Sequence, residues 1–333
     1  MNTLFRPLFL ISICTVLFCA VAVRADPGFW KYEWPKTDFS KTSVDFKEIF
    51  SGGPPKDGIP AIDNPIFKPI AEISDIQPTE PVIGVVVGQA AKAYPLRVLM
   101  WHEIVNDTIA GIPISVTFCP LCNTSIVFDR RITHPEKGPL VLDFGTTGKL
   151  RNSDLVMYDR QTESWWQQFL GEAIVGDLLG QSLKMLPVRI ESFQKFKTRN
   201  PEGLVLIPNN ISMRQYGRNP YEKYDSSPTP FLYRGAMPDR VAPLSRVVAS
   251  DGQAWSLEYL QKVKRVETSS GLVIIWEKGQ NSALDASVIG EGVDIGNITV
   301  QRQDGNKMVD VPYTVDFAFA HHAFRPEIEI ITD

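Results

Sequence analysis

Cysteine is scarce in this chain of 333 residues. There are four, and two of them, Cys14 and Cys19, lie in an apolar N-terminal run. The remainder holds one pair, Cys119 and Cys122, so a zinc site built from two cysteine pairs is excluded. Histidine is equally scarce: His102, His134, His321 and His322 complete the inventory. Basic charge is not in excess, with 34 Lys and Arg against 38 Asp and Glu. No basic stripe interrupts this balance. The one basic cluster, Lys262 to Arg265, reads as a solvated helix face, so nucleic acid is excluded as a partner. Past the N-terminus no second apolar run is long enough to span a membrane.

The apolar run itself extends from Leu8 to Val23, preceded by Arg6 and followed by Val23-Arg24-Ala25. This is the layout of a secretory signal peptide over residues 1–25, with small residues where the peptidase cuts. The expected destination is the periplasm or cell envelope. An uncleaved segment would be the chain's only membrane contact. Cleavage removes Arg6 and Arg24 and no acid, taking the formal charge from 34 − 38 = −4 to 32 − 38 = −6.

Residues 26–80 read as an extended, Gly/Pro-rich segment. "SGGPPKDGIPAIDNP" (51–65) is dense in residues that cannot sustain a ladder, and is expected as a strap across a surface or as a mobile stretch. Residues 81–333 read as a β-rich main domain. "PVIGVVVG", "IPISVTF", "TSIVFD", "GLVLIPN" and "GLVIIWEKG" are strand-like, and "DLVMYDRQTESWWQQF" reads as two strands about a turn. Helical spacing appears after Pro95, over 190–203 and over 256–266. The predicted class is α+β, mostly antiparallel strand with a few short helices. A gapped similarity joins residues near 81–130 to those near 245–285. After Gly88-Gln-Ala and Gly252-Gln-Ala come Tyr94-Leu96-Leu99 and Trp255-Leu257-Leu260, then Gly111 and Gly271. This suggests duplication of a β-helix-β unit. Cys119 in the first copy aligns with Gly279 in the second, and only the first has a histidine, His102, on its helix.

Cys-Pro-Leu-Cys between two strands admits three readings. As a structural disulfide it would constrain the unfolded chain by only about 2 kcal/mol, because the loop is so short. As a redox couple it lacks the helix that follows the motif in thioredoxin-like folds. As a metal knuckle it offers two thiolates to one ion, and imidazole from His102 with soft sulfur suits copper or zinc. A polar run, "FGTTGKLRNSDLVMYDRQTESWW" (144–166), supplies companions: Asn152, Asp154, Asp159 and Arg160, with Met157 as a soft donor. Its "GTTGKL" is not a phosphate loop, because the Gly-to-Gly spacing is short and Leu150 stands where Ser or Thr should bind magnesium. The aromatic, Pro-rich stretch 216–235 reads as a long ordered loop, the kind that carries function.

From about Asp45 to Leu260 the chain resembles a bacterial family of exported proteins catalogued as domain of unknown function 3179. The resemblance rests on "GGPPKDGIPAIDNP", "AYPLRVLMWHEIVND", "VTFCPLCNTSIVFDR", "DFGTTGKLRNSDLVMYDRQTESWWQQF" and "YGRNPYEKYD". It implies an envelope location and no particular reaction. "FAFAHHAFRPEIEI" (317–330) is similar to the family as well, although an aromatic is more usual at His321. The expectation is therefore an exported protein with a metal-thiolate (copper or zinc) or thiol–disulfide site at Cys119 and Cys122. The alternative is a non-enzymatic envelope binding protein in which the pair is a structural disulfide or structural metal site. The partner is a small molecule, a metal or an envelope protein.

Overall fold

The computed structural model describes residues 27–333. The expected signal peptide, with Cys14 and Cys19, lies outside the described residues. Alternating apolar and polar residues, punctuated by Gly- and Asn-containing turns, give short antiparallel strands. These gather into five sheets of four or five strands, arranged as a propeller-like ring, and one two-stranded sheet of Arg131–His134 with Gly138–Val141.

In the first sheet the order is Ile49–Ser51, Phe144–Arg151, Asp154–Asp159, Trp165–Gln167, Glu172–Val175. The second runs Lys184–Met185, Thr124–Asp129, Ile112–Cys119, Ile104–Ile109. The third runs Arg189–Ser192, Pro81–Val87, Ala90–Pro95, Leu204–Ile207, Ile66–Pro69. Thr314–Phe317, Arg246–Ser250, Gln253–Ser256 and Ile330–Ile331 form the fourth. Arg265–Glu267, Leu272–Glu277, Asn297–Asp304 and Lys307–Asp310 form the fifth. Among the described residues, two ladders of these sheets are parallel: Leu204–Ile207 on Ala90–Pro95, and Ile330–Ile331 on Gln253–Ser256.

Five helices of seven residues lie among the strands: α1 Pro27–Glu33, α2 Leu96–His102, α3 Phe193–Arg199, α4 Leu257–Val263 and α5 Ala318–Phe324. Ser192 and Ser256 cap α3 and α4 by accepting the N–H groups of Lys195 and Tyr259. Pro95 stands one residue ahead of α2. No helix among the described residues is long and apolar enough to cross a membrane.

The expected β-helix-β duplication is corrected here. Residues 81–119 and 246–277 do share one order of elements, hairpin, helix, hairpin. In both, however, the two hairpins belong to different sheets, third then second, and fourth then fifth. The repeated element is a passage between neighbouring sheets of the ring. It is not a unit with its own sheet, because a seven-residue helix cannot cross over and return a strand to the sheet it left.

Residues before 81 contribute an edge strand to the first and third sheets, and the rest pack onto the ring. Trp30 of α1 and Trp34 just after it are buried against Trp165, with ring centroids 4.9 and 5.4 Å away. At about 200 Å² per indole, each contributes about 5 kcal/mol of transfer free energy. The strap beyond Ser51 runs over the Phe144–Arg151 strand. Gly52 and Asp57 donate their N–H groups to the carbonyls of Gly148 and Thr146, at 2.8 and 2.9 Å. A Cβ on Gly148 would lie 1.9 Å from the Pro54 carbonyl oxygen. The glycines of "FGTTGKL" are thus the bed on which "GGPPKDGIP" lies.

Candidate metal centre

Two hairpin turns from different sheets meet point to point. In the first, Cys119 pairs with Thr124 as the last rung of the ladder, and Pro120 to Asn123 form the loop. Asn123 adopts φ 55°, and its N–H donates to the Pro120 carbonyl at 3.2 Å. In the second, Arg151 pairs with Asp154, leaving a two-residue turn of Asn152 and Ser153 at φ 51° and 64°. Two successive positive φ values are the type I′ geometry that matches strand twist, and Asn suits it. The turn aims its carbonyls at the other hairpin. Cys119 Sγ lies 3.8 Å from the Ser153 oxygen, and Cys122 Sγ lies 3.9 Å from the Asn152 oxygen.

Asp154, the first residue after that turn, completes the group. A carboxylate oxygen of Asp154 and the two sulfurs lie within 4.8 Å of one another, and all three residues are buried. Both thiols are free. Asp154 Oδ2 accepts hydrogen bonds from Gln167 Nε2 at 2.7 Å and the Phe169 N–H at 2.9 Å. Asp154 Oδ1 is buried without a partner.

The field around this group is acidic. Burial pushes the Asp154 carboxyl up to about 7, with hydrogen bonds from Gln167, Phe169 and the Cys119 thiol opposing. Glu103 is pushed up to about 8 by burial and then by Asp154. Asp316, on the Thr314–Phe317 strand, is raised by burial to about 6. Its Oδ2 accepts the Thr314 hydroxyl at 2.5 Å and its Oδ1 has no partner. Both thiols are raised by burial first. Asp154 and Glu103 add to the effect at Cys119, and Cys119, Asp154 and Asp316 add to it at Cys122. Stripped of water and facing acids, the thiols remain protonated unless a cation joins them.

Two further segments seal the group. Phe317 donates its N–H to the Cys122 carbonyl at 2.9 Å, and Asn123 Nδ2 donates to the Val315 carbonyl at 3.0 Å. From the 216–235 loop, the Tyr224 hydroxyl donates to the Leu121 carbonyl at 3.0 Å and accepts the Phe231 N–H at 3.2 Å. The Ser153 hydroxyl donates to the Phe231 carbonyl. One loop therefore holds both turns.

Of the residues picked from sequence, Cys119, Cys122, Asn152 and Asp154 come together. His102 does not join them: its Nδ1 is 2.7 Å from the Pro60 carbonyl and its Nε2 is 2.8 Å from the Tyr216 hydroxyl. It ties α2 to the strap and loop instead. Met157 lies in the apolar core opposite Trp166. Asp159 caps its own turn through Thr162 and also accepts Trp166 Nε1 at 3.0 Å. It stands five residues, about 17 Å, along the strand from Asp154. Arg160 pairs with Asp57 and Asp63 at 3.5 and 3.1 Å. His321 is buried with Nε2 3.3 Å from the Ile328 carbonyl, and burial lowers its pKa to about 4. Glu103 and Asp316, which lie outside the Cys-Cys-Asp group and reach the thiols through their charge, were not legible from sequence: nothing in their context marks a buried acid.

Over residues 56–328 the chain matches the model of a family described as "Protein of unknown function (DUF3179)". No curated protein and no solved structure matches it.

Proposed function

Because the chain belongs to this family of proteins of unknown function, its activity must be read from the site, and we propose that it is an exported metal-thiolate protein. Cys119, Cys122 and Asp154 would hold one transition-metal ion. The observation that carries this reading is the buried Cys-Cys-Asp group, in which Asp154 Oδ1 has no partner outside the group and the neighbouring charges that act on the thiols are acidic. A buried acceptor without a donor is costly, and a cation removes that cost.

Zinc fits better than copper(I). Two thiolates suit both ions, whereas a carboxylate is an ordinary zinc ligand and a poor one for a soft monovalent ion. The doubly charged ion also leaves less uncompensated charge in a buried site. Thiol–disulfide exchange finds less support. The attacking thiol needs a lowered pKa and access, and both thiols here are buried and raised.

The test is elemental analysis with a thiol count on protein purified from the envelope under anaerobic conditions. About one zinc per chain, with both thiols masked until a chelator is added, is expected. Asp154→Asn should retain less metal. Metal-free protein with an oxidised pair, or with two thiols that take up no zinc, would refute the reading.

A further inference from the structure

We propose that the cavity lined by His102 and Tyr216 binds a small uncharged polyhydroxyl ligand, of monosaccharide size. The cavity has a volume of about 250 Å³, at the small end for ligand sites, and shares none of Cys119, Cys122 and Asp154. It lies where three pieces of chain meet. The strap contributes Pro60 to Asn64, α2 contributes its last residue, His102, and the segment after the Leu204–Ile207 strand contributes Asn209, Asn210, Met213 and Tyr216.

The hydrogen bonds fix what the ligand must offer. The Pro60 carbonyl can only accept, so His102 Nδ1, 2.7 Å away, carries a proton. His102 is 5% exposed and burial lowers its pKa, so the ring is neutral at neutral pH and Nε2 is a bare lone pair. The Tyr216 hydroxyl, 2.8 Å from Nε2, must therefore donate to it. Burial raises the Tyr216 pKa, which keeps that proton on the hydroxyl. With its proton engaged, the Tyr216 oxygen faces the ligand as an acceptor, and no group among the described residues donates to it. Two amides beside it are each used at one end. Asn209 donates through Nδ2 to the Asn64 carbonyl at 2.8 Å, and Asn210 accepts through Oδ1 from the Ser212 N–H at 3.0 Å. Their other ends, an acceptor on Asn209 and a donor on Asn210, have no partner among the described residues. Acceptors and a donor thus occur together in a cavity whose other walls, Ala61, Ile62 and Met213, are apolar. A hydroxyl both donates and accepts, so a ligand bearing several meets this mixture with one kind of group. The charges argue for a neutral molecule. Asp63, the one carboxylate of the lining, is already held by Arg160 at 3.1 Å and by Asn106 Nδ2 at 2.8 Å. Arg214, whose charge acts on both rings, stands outside the lining and opposes a cation, while an anion would find no cationic partner within the lining.

The experiment is saturation-transfer NMR on the full chain with D-glucose, D-galactose and N-acetyl-D-glucosamine in turn, at millimolar concentration. At least one should receive saturation. Its titration should also move the ¹⁵N resonance of His102 Nε2, because a donor on the Tyr216 oxygen strengthens the hydrogen bond that this hydroxyl makes to the ring. Tyr216→Phe should weaken binding by about fivefold to tenfold, and Asn210→Ala, at an exposed residue, by about threefold or more. Circular dichroism confirms that each variant is folded. Should Tyr216→Phe fail to fold, the affinity of Asn210→Ala decides. Saturation of none of the three sugars, or wild-type affinity in every folded variant, would overturn the proposal. A sugar that binds without moving the His102 resonance would sit elsewhere on the molecule and overturn it equally.

Discussion

The buried acids make an unusual demand on the metal-free protein: it should lose stability as the pH rises through neutrality. Asp154 and Glu103 have folded values of about 7 and about 8, against 3.8 and 4.5 for the free groups. An acid whose folded value is raised is bound to its proton more tightly in the folded state. Its contribution is complete below the unfolded value and is lost as pH rises through the folded one. Between about pH 6.5 and 8 the unfolded carboxyls hold almost no proton, while the folded pair holds roughly 1.2 on average. At about 1.4 kcal/mol per proton per pH unit, the loss is of order 2 kcal/mol. His321 works in the opposite direction, since its folded value of about 4 lies below the free value of 6.5. Most of its gain is complete by pH 6.5, leaving well under about 1 kcal/mol. The net fall of about 2 kcal/mol corresponds to a urea midpoint lower by about 0.7 M, for an m-value of about 3 kcal/mol/M. With zinc at a fixed free concentration the sign reverses, because two thiolates in the folded state face two thiols in the unfolded chain. The assay is urea unfolding across this range with chelator and with zinc. A metal-free midpoint that stays flat or rises, or a zinc curve parallel to it, would refute the assignment of these protons.

Three other perturbations reach different parts of the structure. Cys119→Ser with Cys122→Ser should abolish zinc retention yet leave the far-UV circular dichroism unchanged, since the apolar core and not the site supplies most of the stability of a chain this size; a double variant that does not fold would make the site structural. Tyr224→Phe removes the hydroxyl that holds Leu121 and Phe231. At about 1 kcal/mol for such bonds, chelator should extract the metal roughly fivefold faster, and an unchanged rate would show that the loop does not guard the site. Gly148→Ala must push back Pro54 at a residue with φ 68°. About 3 kcal/mol of stability should be lost, with new proteolytic cleavage in residues 52–62, and a variant as resistant as wild type would show that the strap is not bedded there.

What the sequence reveals and what it hides follow from distance along the chain. The hairpin that bears the cysteines is local: Ile112–Cys119 and Thr124–Asp129 are adjacent strands, and alternation with a Pro and Asn turn marks them. The turn at Asn152 and Ser153 is local in the same sense, which is why Asp154 could be singled out. Ring closure is not local. Ile49–Ser51 pairs with Phe144–Arg151, and Ile66–Pro69 pairs with Leu204–Ile207, with no periodicity to announce either. His102 and Glu103 show how fine the distinction can be. They are neighbours, yet the helix ends between them: the His102 ring is tied to the strap and loop, while the Glu103 carboxylate makes no such bond and acts on Cys119 through its charge. The loop over 216–235 was legible as unusual from its aromatics, but its grip on both turns depends on tertiary contacts of Tyr224 and Phe231 that composition does not encode.

The thiol turn and the strand that seals it are far apart in the chain: Asn123 and Val315, joined by a hydrogen bond, are 192 residues from each other. A chain emerging from its N-terminus therefore displays both cysteines long before residues 314–317 exist to cover them. On the metal-thiolate reading, the ion to fill the site would be the one at hand where the last strand arrives, not where the cysteines first appear. For a chain that folds only after crossing a membrane, the choice of metal would then belong to the far compartment, whatever the ligands would have preferred in the near one.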